Sequence, residues 1–520
     1  MSADKRNILL DSDFDLLLKK SLPDAPPEDV VDSVTPWKKA MDRVLIGFAL
    51  GAVTFNFAML NYILPAIGMV MVLLGFRALR RENRYFGLCY AIAVIRACYF
   101  FPLLVLNTTI YHGVVYGSDW ITVLTVVNLL LQFVQYYCLW RGLREVREKA
   151  DLDPSSGAGV WLMVWHVVTC LLGLVGNVGW IIFIGMIAAY VCIICNLFKL
   201  SRESGEAGYA ITAAPVRYSD RALAFIIALL LLAGAVCGYV FGSSYKMDWT
   251  EREKAEHSQV EDIKAQLLDL GFPGYVLDDL TEEEIMACKG ALQVIYDVTE
   301  HPVNDGRRVE EKVTAPEGSD AEHGIYITTI YDVKELKITG VAVRLPAEKE
   351  SWLIIQHFLW TEDPGFFGTE CIQLWPAYRD IDGWSDGGVL SGRLLYDKGG
   401  VTYTSPYHSL GSETYKSNSI FWGEQTNTDI FAAFSLPRDG SSQRGYIAYA
   451  VTETPCENVT DGYITDCWIN YLHQNRYLQY PAYTAIESRK TGIWSEGKKF
   501  KLVQDALQFY VYDSGGYIIN

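Results

Sequence analysis

The sequence predicts a protein in two parts: a polytopic α-helical membrane bundle and an all-β extracytoplasmic domain, an antiparallel β-sandwich with a jelly-roll as one candidate arrangement. Three observations carry that reading. Long uncharged runs are confined to residues 44–242. Lys and Arg cluster in alternate connections between those runs. After about residue 324 the pattern changes to short runs rich in β-branched and aromatic residues, broken by Gly, Pro, Asn and Asp.

Composition agrees with that division. Half of the 520 residues are hydrophobic, and the mean hydropathy of +0.13 is high for a chain without a membrane segment. Residues 243–520 hold 24 basic and 43 acidic residues, so the net charge of −17 belongs to that half. An acidic domain of this kind favours solubility and argues against a nucleic-acid surface, which needs clustered Lys and Arg.

A spanning helix needs roughly 20 mostly apolar residues. Seven candidates stand at about 44–61, 63–76, 86–106, 120–140, 159–176, 180–198 and 222–242, and none contains Asp, Glu or Lys. One set of connections carries Arg43, Arg77, Arg80, Arg81, Arg84, Arg141, Arg144, Arg147, Lys149, Lys199, Arg202, Arg217 and Arg221. The short connections near 61–62, 107–119 and 177–179 carry no basic residue. By the positive-inside rule the N-terminus is cytoplasmic, and seven spans put residues 243–520 outside, at the plasma membrane. Residues 1–43 then form a cytosolic tail able to dock a cytosolic partner. Thr35-Pro36 fits an N-cap and first helical position leading into the membrane.

Arg96 stands alone near the middle of the third span. A lone guanidinium in hydrocarbon costs roughly 2.5–3.5 kcal/mol on insertion scales, so it should face the bundle interior. Asn128, Gln132 and Gln135 lie at helical spacing on the fourth span and form one polar stripe; His166 in the fifth span and Asn56 in the first are further neutral partners. The cluster serves as interhelical glue or as an anion site. The seventh span has no lysine for a retinal Schiff base, and the orientation is opposite to that of seven-helix receptors.

Residues 243–300 are expected to be a helical stalk, with Thr281 and Glu284 as a capping box, and residues 301–520 the sandwich. SWLIIQHFLW (351–360) is apolar on both faces, as a central strand would be. FKLVQDALQFYVYD (500–513) reads as a short helix mixed with a closing strand. Cys456 and Cys467 bracket a short polar loop and are candidates for a disulfide in an oxidising exterior.

No nucleophile elbow, Walker motif or zinc spacing occurs, and no cofactor is implied. Glu362, Asp363, Glu413 and Glu424 supply loose carboxylates, and Asp380, Asp382 and Asp386 lack the order of a calcium loop. Aromatic residues near strand ends are the more distinctive feature: Trp375, Trp384, Tyr407 and Trp422, of which Trp384, flanked by Gly and Ser, is expected to be exposed. Such rings suit stacking on sugar faces and protein interfaces. The sequence therefore points to a membrane-anchored envelope module that binds or senses a glycan or protein. A transporter or lipid-handling bundle built on Arg96 is the alternative, and an exterior hydrolase a weaker one.

Overall fold

The computed structural model describes residues 37–52, 59–154, 157–175, 179–207, 214, 217–252, 258–314, 325–362, 364–379, 382–419, 423–454, 462–476, 479–491, 499–512 and 517–519. The chain divides into two compact units, residues 1–106 with 114–235, and residues 107–113 with 236–520.

The first unit is helical: α1 (Trp37–Ala52), α2 (Leu60–Leu79), α3 (Arg84–Leu106), α4 (His112–Tyr116, which begins in the second unit), α5 (Asp119–Lys149), α6 (Gly157–Val175), α7 (Trp180–Glu206) and α8 (Asp220–Phe241, whose residues from Val236 onward belong to the second unit). Six of these, α2, α3 and α5 to α8, are long and apolar enough to span a membrane. The first expected span is represented by α1, whose 16 described residues fall short of a span, and residues 53–58 lie outside the described residues. The expected N-cap at Thr35-Pro36 also lies outside them, and α1 begins at the next residue, Trp37.

Glycines let α1 and α2 approach closely. A Cβ on Gly68 would stand 2.5 Å from the Gly47 carbonyl oxygen, and one on Gly47 2.6 Å from that of Gly68. Without a hydrophobic driving force between helices in lipid, such backbone-to-backbone packing is a main source of association. The interior gathers Trp37, Met41, Phe48, Phe76, Phe86, Tyr136, Leu139 and Leu197. The helices α5 and α7 run past the apolar stretch, so Arg141, Arg144, Arg147, Lys199 and Arg202 sit on helix and not in loops. Ion pairs tie these ends together: Arg43 (2.5 Å) and Arg77 (3.3 Å) to Asp220, Arg147 to Glu203 (2.9 Å), and Lys149 to Glu82 (2.9 Å).

The second unit is built on thirteen described strands: β1 (Thr250–Glu251), β2 (Gln293–Thr314), β3 (Ile325–Arg344), β4 (Ser351–Trp360), β5 (Glu370–Arg379), β6 (Trp384–Lys398), β7 (Val401–Pro406), β8 (Ser409–Ser419), β9 (Gly423–Phe434), β10 (Ser441–Glu453), β11 (Gly462–Gln474), β12 (Phe500–Tyr512) and β13 (Tyr517–Ile519). They form two antiparallel sheets, ordered β1-β7-β6-β10-β4-β3-β2 and β13-β12-β11-β5-β9-β8. The inward residues of both sheets share one core, including Trp352, Ile354, Phe358 and Trp360 of β4 with Ile372, Phe434, Tyr471 and Phe509 of the facing sheet. Residues 500–512 form one uninterrupted strand, and the helix expected there stands earlier, at α12 (Ala485–Thr491).

The expected stalk is corrected. Residues 258–287 form α9 (Ser258–Asp269), α10 (Gly274–Leu277) and α11 (Glu282–Ala287), packed on the first sheet. Val260, Ile263, Leu267, Val276 and Ile285 cover Leu353 and Ile355, the other face of β4, which explains why that strand is apolar on both sides. Thr281 and Glu284 do form the capping box. Buried charge fastens this layer: Asp279 accepts from His357 Nε2 (2.9 Å) and Arg444 Nε (2.9 Å).

Candidate functional site

The side chains facing outward from the second sheet form a continuous polar and aromatic cluster. Alternation along β5 turns Ile372 and Leu374 into the core and places Cys371, Gln373 and Trp375 on the other face. Register sets Gln373 beside Asn470 of β11 and Phe431 of β9, while Asp429 of β9 pairs with Glu413 of β8. Gln373 Nε2 donates to Asp429 Oδ2 (2.7 Å), and its Oε1 accepts from Asn470 Nδ2 (3.4 Å) and from Arg489 of α12. Tyr415 of β8 donates to Asp429 Oδ1 (3.4 Å) and accepts from Trp375 Nε1 (3.2 Å). Lys490 of α12 pairs with Glu413 and lies over the Phe431 ring, 4.7 Å from its centroid.

Burial makes the cluster two-tiered. Asn470, Asp429 and Gln373 form a buried floor, and Asn470 Oδ1 has no hydrogen-bond partner among the described residues. Trp375 and Tyr415 rise above it, 42% and 40% exposed. Burial is the main cause that raises the Asp429 carboxyl to about 6, opposed by the hydrogen bonds from Gln373 and Tyr415 and by Arg489. An aromatic rim over directional amide and carboxylate groups can stack on an apolar ring face and read hydroxyls beside it.

The other aromatic candidates of the β-domain fall elsewhere. Trp384 and Tyr407 are buried, at 4% and 7% exposure, in the core between the sheets. This corrects the expected exposure of Trp384: Gly383, with φ of +78°, turns the chain directly into β6, and pairing of Trp384 with Glu453 of β10 draws the indole inward. The Tyr407 hydroxyl donates to the Tyr446 carbonyl (3.1 Å). Trp422 and Cys456 lie outside the described residues, while Cys467 is a buried free thiol on β11. Asp382 is paired with Arg379 (2.6 Å), and Asp386 accepts from the Gly388 N–H (2.8 Å). No group of three His, Cys, Asp or Glu able to hold a metal occurs among the described residues.

The residues that complete the outer face, Gln373, Asp429, Asn470, Tyr415 and Arg489, were not singled out in the sequence. In CIQLW the apolar Ile372 and Leu374 alternate with the outward Cys371, Gln373 and Trp375, but TNTDIF is polar over four successive residues, and which strands lie side by side is a non-local matter.

In the helical unit, the Arg96 guanidinium is held by three neutral oxygens of α5: Asn128 Oδ1 (3.1 Å), Gln135 Oε1 (2.7 Å) and Gln132 Oε1 (3.1 Å). Gln132 also donates to the Tyr136 hydroxyl (2.6 Å), and Gln135 to the Cys89 carbonyl (3.2 Å). His166 stands apart from the guanidinium contacts: its Nε2 meets the Leu129 carbonyl oxygen (3.1 Å). Asn56 lies outside the described residues.

No family model matches this chain, and no curated protein matches it. Among solved structures, Clostridium perfringens delta-toxin aligns with 41% of this chain and 93% of its own at 8% identity, with a TM-score of 0.17, too low to support a fold assignment.

Proposed function

We propose that this is a plasma-membrane binding protein whose β-sandwich lies outside the cell and engages a glycan through the outer face of its second sheet. The helical unit anchors it. The observation that carries the reading is the exposed Trp375–Tyr415 pair standing over the buried Gln373–Asp429–Asn470 floor. A sugar ring stacked on Trp375 would bring its hydroxyls to donors and acceptors already oriented by one another, which lowers the ordering cost of binding. Arg96 is read as interhelical glue, because three amide oxygens already hold its guanidinium.

The test is retention of the detergent-solubilised full-length protein on insoluble cell-wall material and on a panel of immobilised polysaccharides. Saturable binding that weakens roughly tenfold in Trp375→Ala, and is kept in a distant surface variant such as Lys398→Ala, supports the reading. Equal retention of wild type and Trp375→Ala would overturn it and turn attention to a protein partner on the same domain.

A further inference from the structure

A second cluster, in the helical unit, has the chemistry of an anion site. It lies where the first turn of α3 meets α5. Asn83 builds the corner: its Oδ1 accepts from the Phe86 N–H (2.9 Å), as an N-cap does, and its Nδ2 donates to the Gly142 carbonyl of α5 (3.1 Å). The close approach depends on Gly142, where a Cβ would stand 2.5 Å from the Phe86 ring. This fixes Arg84 and Tyr85 of α3 opposite Arg141 of α5.

The result is two guanidiniums converging on one neutral oxygen. Arg84 Nη2 lies 2.9 Å from the Tyr85 hydroxyl, and Arg141 Nε and Nη2 each lie 3.4 Å from it. Both guanidiniums also sit over the Tyr85 ring, at 4.9 and 5.5 Å from its centroid, and Arg141 is 5.8 Å from that of Trp140. Neither arginine has an ion-pair partner among the described residues, although neighbours on the same helix ends are paired, Arg144 with Glu148 and Lys149 with Glu82. Glu145, one turn beyond Arg141, attracts it without reaching ion-pair distance.

The phenol adds an independent sign. Tyr85 is 9% exposed, and its oxygen accepts from both arginines. Its own O–H has no acceptor among the described residues. Two like charges and an unspent hydroxyl proton, drawn together with no carboxylate at ion-pair distance among the described residues, are complementary to an oxyanion with several acceptor oxygens. Arginine forks match phosphate geometry, and the neighbouring N-terminus of α3 favours negative charge. The site lies at the basic end of the bundle, where a headgroup would sit beside the Trp140 ring.

We propose that Arg84, Tyr85 and Arg141 form a binding site for a phosphate group, supplied by the headgroup of an anionic phospholipid.

The test uses the full-length protein, delipidated in dodecyl maltoside, with phosphatidylglycerol or inorganic phosphate titrated in and bound species counted by native mass spectrometry. The double variant Arg84→Gln/Arg141→Gln should bind phosphatidylglycerol about tenfold or more weakly, while Arg217→Gln binds as wild type does. Tyr85→Phe removes only the hydroxyl, leaves the ring and the helix corner in place, and should weaken binding several-fold; it carries the test if the double variant fails to fold. Tight phosphatidylglycerol binding with no response to millimolar inorganic phosphate identifies the lipid as the source. Inorganic phosphate binding as tightly, and lost in the same variants, keeps the phosphate site but overturns the lipid assignment. Unchanged phosphatidylglycerol and phosphate binding in Tyr85→Phe and in the double variant Arg84→Gln/Arg141→Gln overturns the site itself.

Discussion

Asp429 shows how a single residue couples the outer-face cluster to pH. Its folded pKa of about 6 stands above the ordinary 3.8, with burial as the largest cause. The folded state therefore holds this proton more tightly than the unfolded chain does. The associated stability is full below about pH 4 and is lost as pH rises through about 6, at most about 3 kcal/mol for a two-unit shift. Asp429→Asn should consequently raise the unfolding temperature of the solubilised protein at pH 7.5, with a gain that shrinks towards zero near pH 4; scanning fluorimetry at the two pH values reads this directly. The same gain at both would show that titration is not the cause. Trp384 and Trp375 make the complementary contrast. Trp384→Ala should destabilise by about 3–5 kcal/mol, as expected for a large ring removed from a packed core, whereas Trp375→Ala should leave the unfolding temperature near that of wild type. Composition around the two residues does not separate them. Trp384 has Gly and Ser for neighbours and Trp375 has Leu and Pro, so local polarity pointed the wrong way. What decides burial is the pairing of β6 with β10, a contact between residues about 70 positions apart.

At the scale of elements, the helical features were legible and the sheet partners were not, for the same physical reason. A helix face is set by residues three and four apart, so the stripe Asn128, Gln132 and Gln135 could be read locally, and the structure puts all three on Arg96. Removing the guanidinium would leave three amide oxygens without this donor in an apolar bundle. Arg96→Leu should lower the unfolding temperature in detergent, and adding Asn128→Leu and Gln132→Leu should recover part of the loss. An unchanged unfolding temperature in Arg96→Leu would show that the arginine is not glue. The α1–α2 pair gives a second case. Gly68→Leu must push the helices apart, because its Cβ alone would stand 2.5 Å from the Gly47 oxygen and 3.0 Å from the Gly51 nitrogen. A lower yield of folded protein on size exclusion is the expected result, with Gly173→Leu, a site with open space around it, as control. The helices α9 to α11 show the limit of local reading. Their amphipathic spacing is plain in the sequence, but a stalk and a layer covering β4 demand the same pattern, and only the sheet it covers tells them apart.

For the whole molecule, the positive-inside rule gives an expected orientation that does not depend on how many helices cross. The basic side chains gather where α1 begins, α2 ends, α3 begins, and α5 and α7 end; Asp220 at the start of α8 is tied to the same place by Arg43 and Arg77. If that end is cytoplasmic, a spanning α8 leaves its far end, near Phe241, outside, and with it the start of the β-domain. The 16 described residues of α1 do not alter this, since α1 runs from the basic end and packs on α2. The test is labelling by a membrane-impermeant maleimide in intact cells, in a background lacking the exposed thiols Cys98, Cys192, Cys195 and Cys237. A cysteine introduced by Asp439→Cys, in the exposed turn before β10, should react at once. One introduced by Arg81→Cys, between α2 and α3, should react only after permeabilisation. The opposite pattern would place the acidic domain inside the cell, where the Trp375 face would meet cytosolic partners and a wall polysaccharide could not reach it. Reactivity at both positions in intact cells would mean that the basic end does not hold to one side of the membrane, and the charge argument would fail with it.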